Sequence, residues 1–131
     1  MDFAAIMASE NNIALTITFI DSELTAEELN DEAVLLLEEL SHRSDIESAD
    51  RVRDPNPPDG NKSIGGFLTG LLKTEVNPAN GLKVLSFLGD HLSNKPITLE
   101  VEGNGKKLKL TVNNREEMAS VLQQAKDFIG N

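Results

Sequence analysis

The stretch Pro96-Ile97-Thr98-Leu99-Glu100-Val101-Glu102-Gly103-Asn104-Gly105-Lys106-Lys107-Leu108-Lys109-Leu110-Thr111-Val112 alternates apolar and polar residues on both sides of a Gly-Asn-Gly turn. Period-2 alternation puts Ile97, Leu99 and Val101 on one face of a strand, and Leu108, Leu110 and Val112 on one face of the next. Gly103, Asn104 and Gly105 supply the positive-φ residues that a tight hairpin requires. Glu100 and Glu102 can face Lys107 and Lys109 across the strands, a modest attraction of about 0.2–1 kcal/mol per pair. The hairpin has one buried and one solvated face, so the rest of the chain must supply a covering layer.

Reading outward toward the C-terminus, Asn114 caps a helix with Glu117 at the capping-box position. Met118, Val121, Leu122, Ala125, Phe128 and Ile129 give that helix one apolar face, and Gly130 ends it. Toward the N-terminus, Ile13, Leu15, Ile17 and Phe19 share one face of another strand. Thr25-Ala26-Glu27-Glu28 is a capping box, and Leu29, Ala33, Leu36, Leu37 and Leu40 recur at helical spacing, which predicts a helix over 25–42. Residues 46–53 form a weaker strand candidate whose charges, Glu47, Asp50, Arg51 and Arg53, suit a sheet edge. Three prolines and a glycine make 54–61 a loop.

The spacing of Ile64, Phe67, Leu68, Leu71 and Leu72 predicts a helix over 63–72, and Leu82, Leu85, Leu88 and Leu92 predict another over 82–92. The linker 75–81 then reads as a turn or cap. Gly65, Gly66 and Gly70 each cost about 1 kcal/mol in a helix interior. Close backbone approach to another element is the packing that would offset them. The predicted fold class is α+β: a two-layer sandwich with one four-stranded, mixed or antiparallel sheet covered by helices, in the order β-α-β-α-α-β-β-α. Residues 1–10 read as an N-terminal extension and 11–130 as a single α+β domain. If its strands are parallel, the first strand–helix–strand unit should cross right-handed.

Composition narrows the function classes. The chain has 131 residues, enough for one core, with 39% hydrophobic and 26% charged residues, a globular rather than a disordered balance. It has no cysteine, which excludes disulfides, thiolate metal sites and cysteine nucleophiles. A net charge of −10 argues against nucleic acid as a partner. Residues 1–12 carry Asp2 and Glu10 and no base, unlike a secretory signal. Strictly apolar runs such as 33–37 are far below the ~20 residues of a membrane span. The expected setting is therefore cytoplasmic.

Catalytic chemistry finds no foothold. His42 and His91 each fall near a predicted helix end, where capping or surface exposure accounts for them. Gly65-Gly66-Phe67-Leu68-Thr69-Gly70 lacks the Lys-Ser or Lys-Thr of a phosphate loop. Asp54, Asn56 and Asp59 have the wrong spacing for a calcium loop, and prolines intervene. No serine sits in a Gly-x-Ser-x-Gly elbow. The reading is a non-enzyme with no metal and no cofactor.

Charge is uneven instead. Residues 1–59 hold 15 acidic and 3 basic side chains, whereas 60–131 hold 7 and 9. A solvated helix face accounts for the acidic surplus. The sharper reading is a docking surface for a basic partner, centred on Glu27, Glu28, Asp31 and Glu32.

One resemblance spans most of the chain. It is carried by the acidic helix, Ile46-Glu47-Ser48-Ala49-Asp50-Arg51-Val52, the Pro57-Pro58-Asp59-Gly60-Asn61-Lys62 loop, and Ser63-Ile64-Gly65-Gly66-Phe67-Leu68-Thr69-Gly70-Leu71-Leu72. The leucine-rich 82–92 segment, Lys95-Pro96-Ile97-Thr98-Leu99-Glu100-Val101 and the closing Asp127-Phe128-Ile129 complete it. In this order and patterning the chain resembles the effector-associated constant component family of bacterial conflict systems. The resemblance covers about residues 11–129 and includes no invariant catalytic motif. It implies a non-catalytic adaptor or regulator beside an effector, such as a caspase-like or trypsin-like peptidase or a nucleotide-dependent signalling module. It carries over no functional residue. Many relatives look nearly membrane-like across the central helices; here Lys73, Glu75, Asn77, Lys83 and Asp90 interrupt that region, which argues against stable membrane insertion. Two other readings stand beside the adaptor. One is a conditional membrane-associated or homo-oligomerising component that uses the central helical hairpin. The other is a small-ligand binding domain or unfamiliar enzyme.

Overall fold

Leu72, Ile17, Leu99 and Leu110 lie in one row across four neighbouring strands and mark the sheet face that the helices cover. The computed structural model describes residues 12–53, 63–64, 67–103 and 105–130. The strands are β1 (Ile13–Phe19), β2 (Ser48–Arg53), β3 (Ser63–Ile64), β4 (Phe67–Val76), β5 (Ile97–Gly103) and β6 (Lys106–Val112). The helices are α1 (Ala26–Ser41), α2 (Pro78–His91) and α3 (Arg115–Gly130). Five strands form one antiparallel sheet in the order β2-β4-β1-β5-β6, and the two-residue β3 pairs with the start of β4.

The α+β class, the antiparallel sheet and the single helical layer are as expected, but the strand count and element order are not. Residues 67–76 are a strand, not the end of a helix and a linker, so the central helical hairpin does not exist. The reason lies in the pattern beyond Leu72. Gly70, Leu72, Thr74 and Val76 are buried in alternation with Leu71, Lys73 and Glu75. A helix ending at 72 cuts this period-2 series in half. The helix that follows begins at Pro78, with Asn77 as its cap accepting from Asn80 N at 2.9 Å, four residues earlier than predicted. Proline suits that first turn because its missing N–H would have no intrahelical partner there. Residues 1–10, the 54–61 loop, Gly65 and Gly66 lie outside the described residues.

With β4 in place the topology is a pair of interlocked split units. β1 and β2 both run antiparallel to β4, so they are parallel to each other with β4 between them. β4 and β5 are likewise parallel on either side of β1. This is the split β-α-β-β-α-β arrangement, extended by β6 and α3.

The core sits between sheet and helices. Ile13, Leu15, Ile17 and Phe19 meet Leu72, Val76, Leu99 and Val101 on the inner sheet face. Ala33, Leu36 and Leu40 of α1, Val84, Leu85 and Leu88 of α2, and Met118, Val121 and Ala125 of α3 close over them. The buried Thr74 hydroxyl donates to Ser48 O at 2.7 Å, so its polar atom is satisfied and β2 is tied to β4. The opposite sheet face is polar and open: Glu100 pairs with Lys109, Glu102 with Lys107, and Lys107 Nζ lies 3.7 Å from both glutamates.

Gly70 has φ +67° inside β4. A Cβ there would lie 3.3 Å from Leu29 Cβ on α1 and 3.3 Å from Phe19 O on β1. The close backbone approach expected of this glycine is present, but in a strand. The β2–β4 register also shifts between Arg51 and Arg53, opposite the Phe67–Leu72 stretch, as a bulge requires.

Candidate interaction surface on α1

Helix α1 starts with the capping box read from sequence. Thr25 Oγ1 accepts from Glu28 N at 3.1 Å, and Thr25 N donates to Glu28 Oε1 at 2.9 Å. At its other end Ser41 Oγ lies 2.8 Å from Glu38 O and donates to it, and His42 Nδ1 lies 2.8 Å from the same carbonyl. Ala33, Leu36 and Leu40 anchor the inner side of the helix.

The structure divides the four acidic residues expected to form the docking surface. Glu27, Glu28 and Asp31 are exposed, while Glu32 is half-buried. Glu28 is engaged in the cap, and Glu32 Oε2 lies 2.6 Å from Lys95 Nζ. That leaves Glu27 and Asp31, joined on the same side by Glu38 and Glu39 and with no ion pair among the described residues.

Two apolar residues complete the surface, and sequence reasoning passed over both. Val34 and Leu35 are 42% and 58% exposed, among the few large hydrophobics of the described residues to face solvent. The signal was available. At about 100° per residue, five consecutive apolar residues (33–37) subtend far more than one buried stripe. Ala33, Leu36 and Leu37 satisfy the core, and Val34 and Leu35 must point away. They sit between Glu27 and Asp31 on one side and Glu38 and Glu39 on the other. An apolar centre with a charged rim is the anatomy of a protein-binding patch.

The charge pattern works against the helix itself. α1 contains six carboxylates and no basic residue. Glu27–Asp31 and Glu28–Glu32 are like-charge pairs at i,i+4, each costing roughly 0.2–0.5 kcal/mol. Glu38 and Glu39 stand in or beside the last turn, where the dipole favours cations and none is present. The capping box and the buried leucines hold the helix in place against this repulsion.

Other polar clusters offer less. A cavity of about 390 Å³ at the end of β1 is lined by Phe19, Asp21, Leu24, Glu32, Lys95 and Pro96, with Glu32 and Lys95 already paired across it. The Arg51 guanidinium lies over Phe67 and donates to Asn30 Oδ1 on α1; burial pushes its pKa down. Arg43 makes a bidentate pair with Asp45 at 2.9 and 2.7 Å and stacks on Phe87, which His91 also flanks. Among the described residues no group of three or more His, Asp or Glu side chains is placed to hold a metal.

Comparison with protein-family models, with curated proteins and with solved structures finds no match.

Proposed function

We propose that this protein is a non-catalytic adaptor that works by binding another protein, and that the outer face of α1 is its docking surface. The observation that carries the reading is the pair Val34 and Leu35, exposed at the centre of a helix with six acids and no base. The resemblance noted above supports a setting in a bacterial effector or defence system, with a peptidase or nucleotide-dependent signalling module as the partner. The alternative that uses a central helical hairpin loses that hairpin, because β4 occupies most of its first arm; no described helix is long and apolar enough to cross a membrane.

The test is affinity capture from the native host with chemical crosslinking, read by mass spectrometry, using wild type and a Glu27→Lys, Asp31→Lys variant side by side. The expected result is an effector recovered by the wild type and depleted with the variant. An absence of any effector in the crosslinked wild-type sample refutes the adaptor function.

A further inference from the structure

Resting on the reading of α1 as a docking surface, we infer that the segment it binds is a basic amphipathic helix of a partner protein. Three observations fix that chemistry. First, Val34 and Leu35 are adjacent and exposed, so the partner must bring an apolar stripe to one point. Second, the rim carboxylates lie about one turn to either side: Asp31 precedes Leu35 by four residues and Glu39 follows it by four, about 6 Å each way along the axis. Lys or Arg residues one turn before and after a central leucine match this spacing on a single helix face. Third, α1 offers side chains and no free backbone groups along its flank. An extended segment laid there would leave its own N–H and C=O groups unpaired at the contact, whereas a helix satisfies them internally.

The stretch from Glu27 to Glu39 is thirteen residues, about 18 Å from end to end, and accommodates a partner helix of some three turns. Binding removes the like-charge strain of α1 as it forms the new pairs, so the free protein holds in its own helix part of the driving force for association. The cationic partner would also neutralise the unfavourable charges at the last turn.

The probe is a synthetic eighteen-residue peptide of Leu and Lys in amphipathic helical register. A scrambled peptide of identical composition, which has the charge but no apolar stripe, is the control. Affinities are measured by calorimetry on the full chain at low and high salt, and the site is mapped by amide hydrogen exchange. We expect the amphipathic peptide to bind about tenfold or more tighter than the scrambled one. That margin should vanish in a Val34→Ser, Leu35→Ser variant whose acids are intact, and new protection should fall on α1. Because the two side chains are 42% and 58% exposed, the variant should keep the wild-type circular dichroism and lose only a few degrees in melting temperature. Equal binding of the two peptides, a margin that survives in the serine variant, or no binding at all overturns the inference. A dimer of the protein alone in sedimentation, dissolved by the serine variant, also overturns it by making a second copy the occupant. Capture of the effector by the serine variant as efficiently as by wild type leaves the adaptor function standing and removes the helix-docking inference.

Discussion

Replacing Gly70 by alanine should destabilise the protein through two separable effects. The first is conformational: φ is +67°, and an L-residue there costs about 1–2 kcal/mol. Part of this, about 0.4–1 kcal/mol, is offset because alanine restricts the unfolded chain more than glycine does. The second is steric. The new methyl would lie 3.3 Å from Leu29 Cβ and 3.3 Å from Phe19 O. Neither atom can swing away by a side-chain rotation, so α1 or the central strand must shift by a few tenths of an ångström. Together we expect a loss of about 1.5–3 kcal/mol, or roughly 5–12 °C in melting temperature for a domain of this size. Gly105→Ala is the internal control. It has φ +75° but nothing within 4 Å of the added methyl, so it carries the conformational cost alone. Urea denaturation of both variants measures the difference, which reports the α1–β4 contact. If Gly70→Ala costs no more than Gly105→Ala, α1 does not rest on β4 at that point, and the placement of the docking face argued above is wrong.

Three further outcomes are expected. Reversing Glu38 and Glu39 to lysine should raise the melting temperature, by an amount corresponding to about 0.3–1 kcal/mol per site, by matching charge to the helix dipole, while abolishing effector capture; a gain in stability with capture unchanged would remove the last turn from the docking surface. The Arg43 guanidinium, by hydrogen bonding, holds the Asp45 carboxyl below its ordinary range. The stability this gives is complete above the usual carboxylate pKa of about 3.9 and is lost as pH falls through the lower folded value, so Asp45→Asn should flatten the acid limb of urea midpoints measured between neutral pH and about pH 2.5. Ile17→Ala, at a fully buried position where β1 meets both β4 and β5, should cost about 2–5 kcal/mol in the same assay.

The elements legible in the sequence are those whose local signals agree with one another. β1, the β5–β6 hairpin, α3 and the Thr25 cap of α1 each combine a clean period with matching turn or capping chemistry, and each stands within a residue or two of its predicted place. The 63–76 segment failed because its earlier and later parts speak for different periods. Phe67, Leu68, Leu71 and Leu72 fit a helical stripe, while Leu72, Thr74 and Val76 fit a strand, and only tertiary pairing of β4 between β1 and β2 decides between them. Gly70 read as a helix liability is in fact what lets the strand pass close under α1. At the candidate site, the acids were plain from composition, but which of them were spent could not be seen. Glu28 is tied locally by the cap, whereas Glu32 is tied by Lys95, a residue distant in the chain. Val34 and Leu35 were visible as surplus hydrophobics in a helix whose inner face was already full.

The position of β1 also bears on how the chain reaches this state. Its strongest partners arrive late: Ile13 pairs with Val76, and Phe19 with Ile97. At about 5–20 residues per second, translation leaves seconds between the appearance of β1 and that of β4 and β5. Throughout that interval an Ile-Ala-Leu-Thr-Ile-Thr-Phe segment has both edges open, the composition most prone to intermolecular pairing. Asp21 and Glu23 follow it immediately, and the acids of α1 come next. Mutual repulsion between nascent chains at that stage is a service that negative charge performs before any native contact exists.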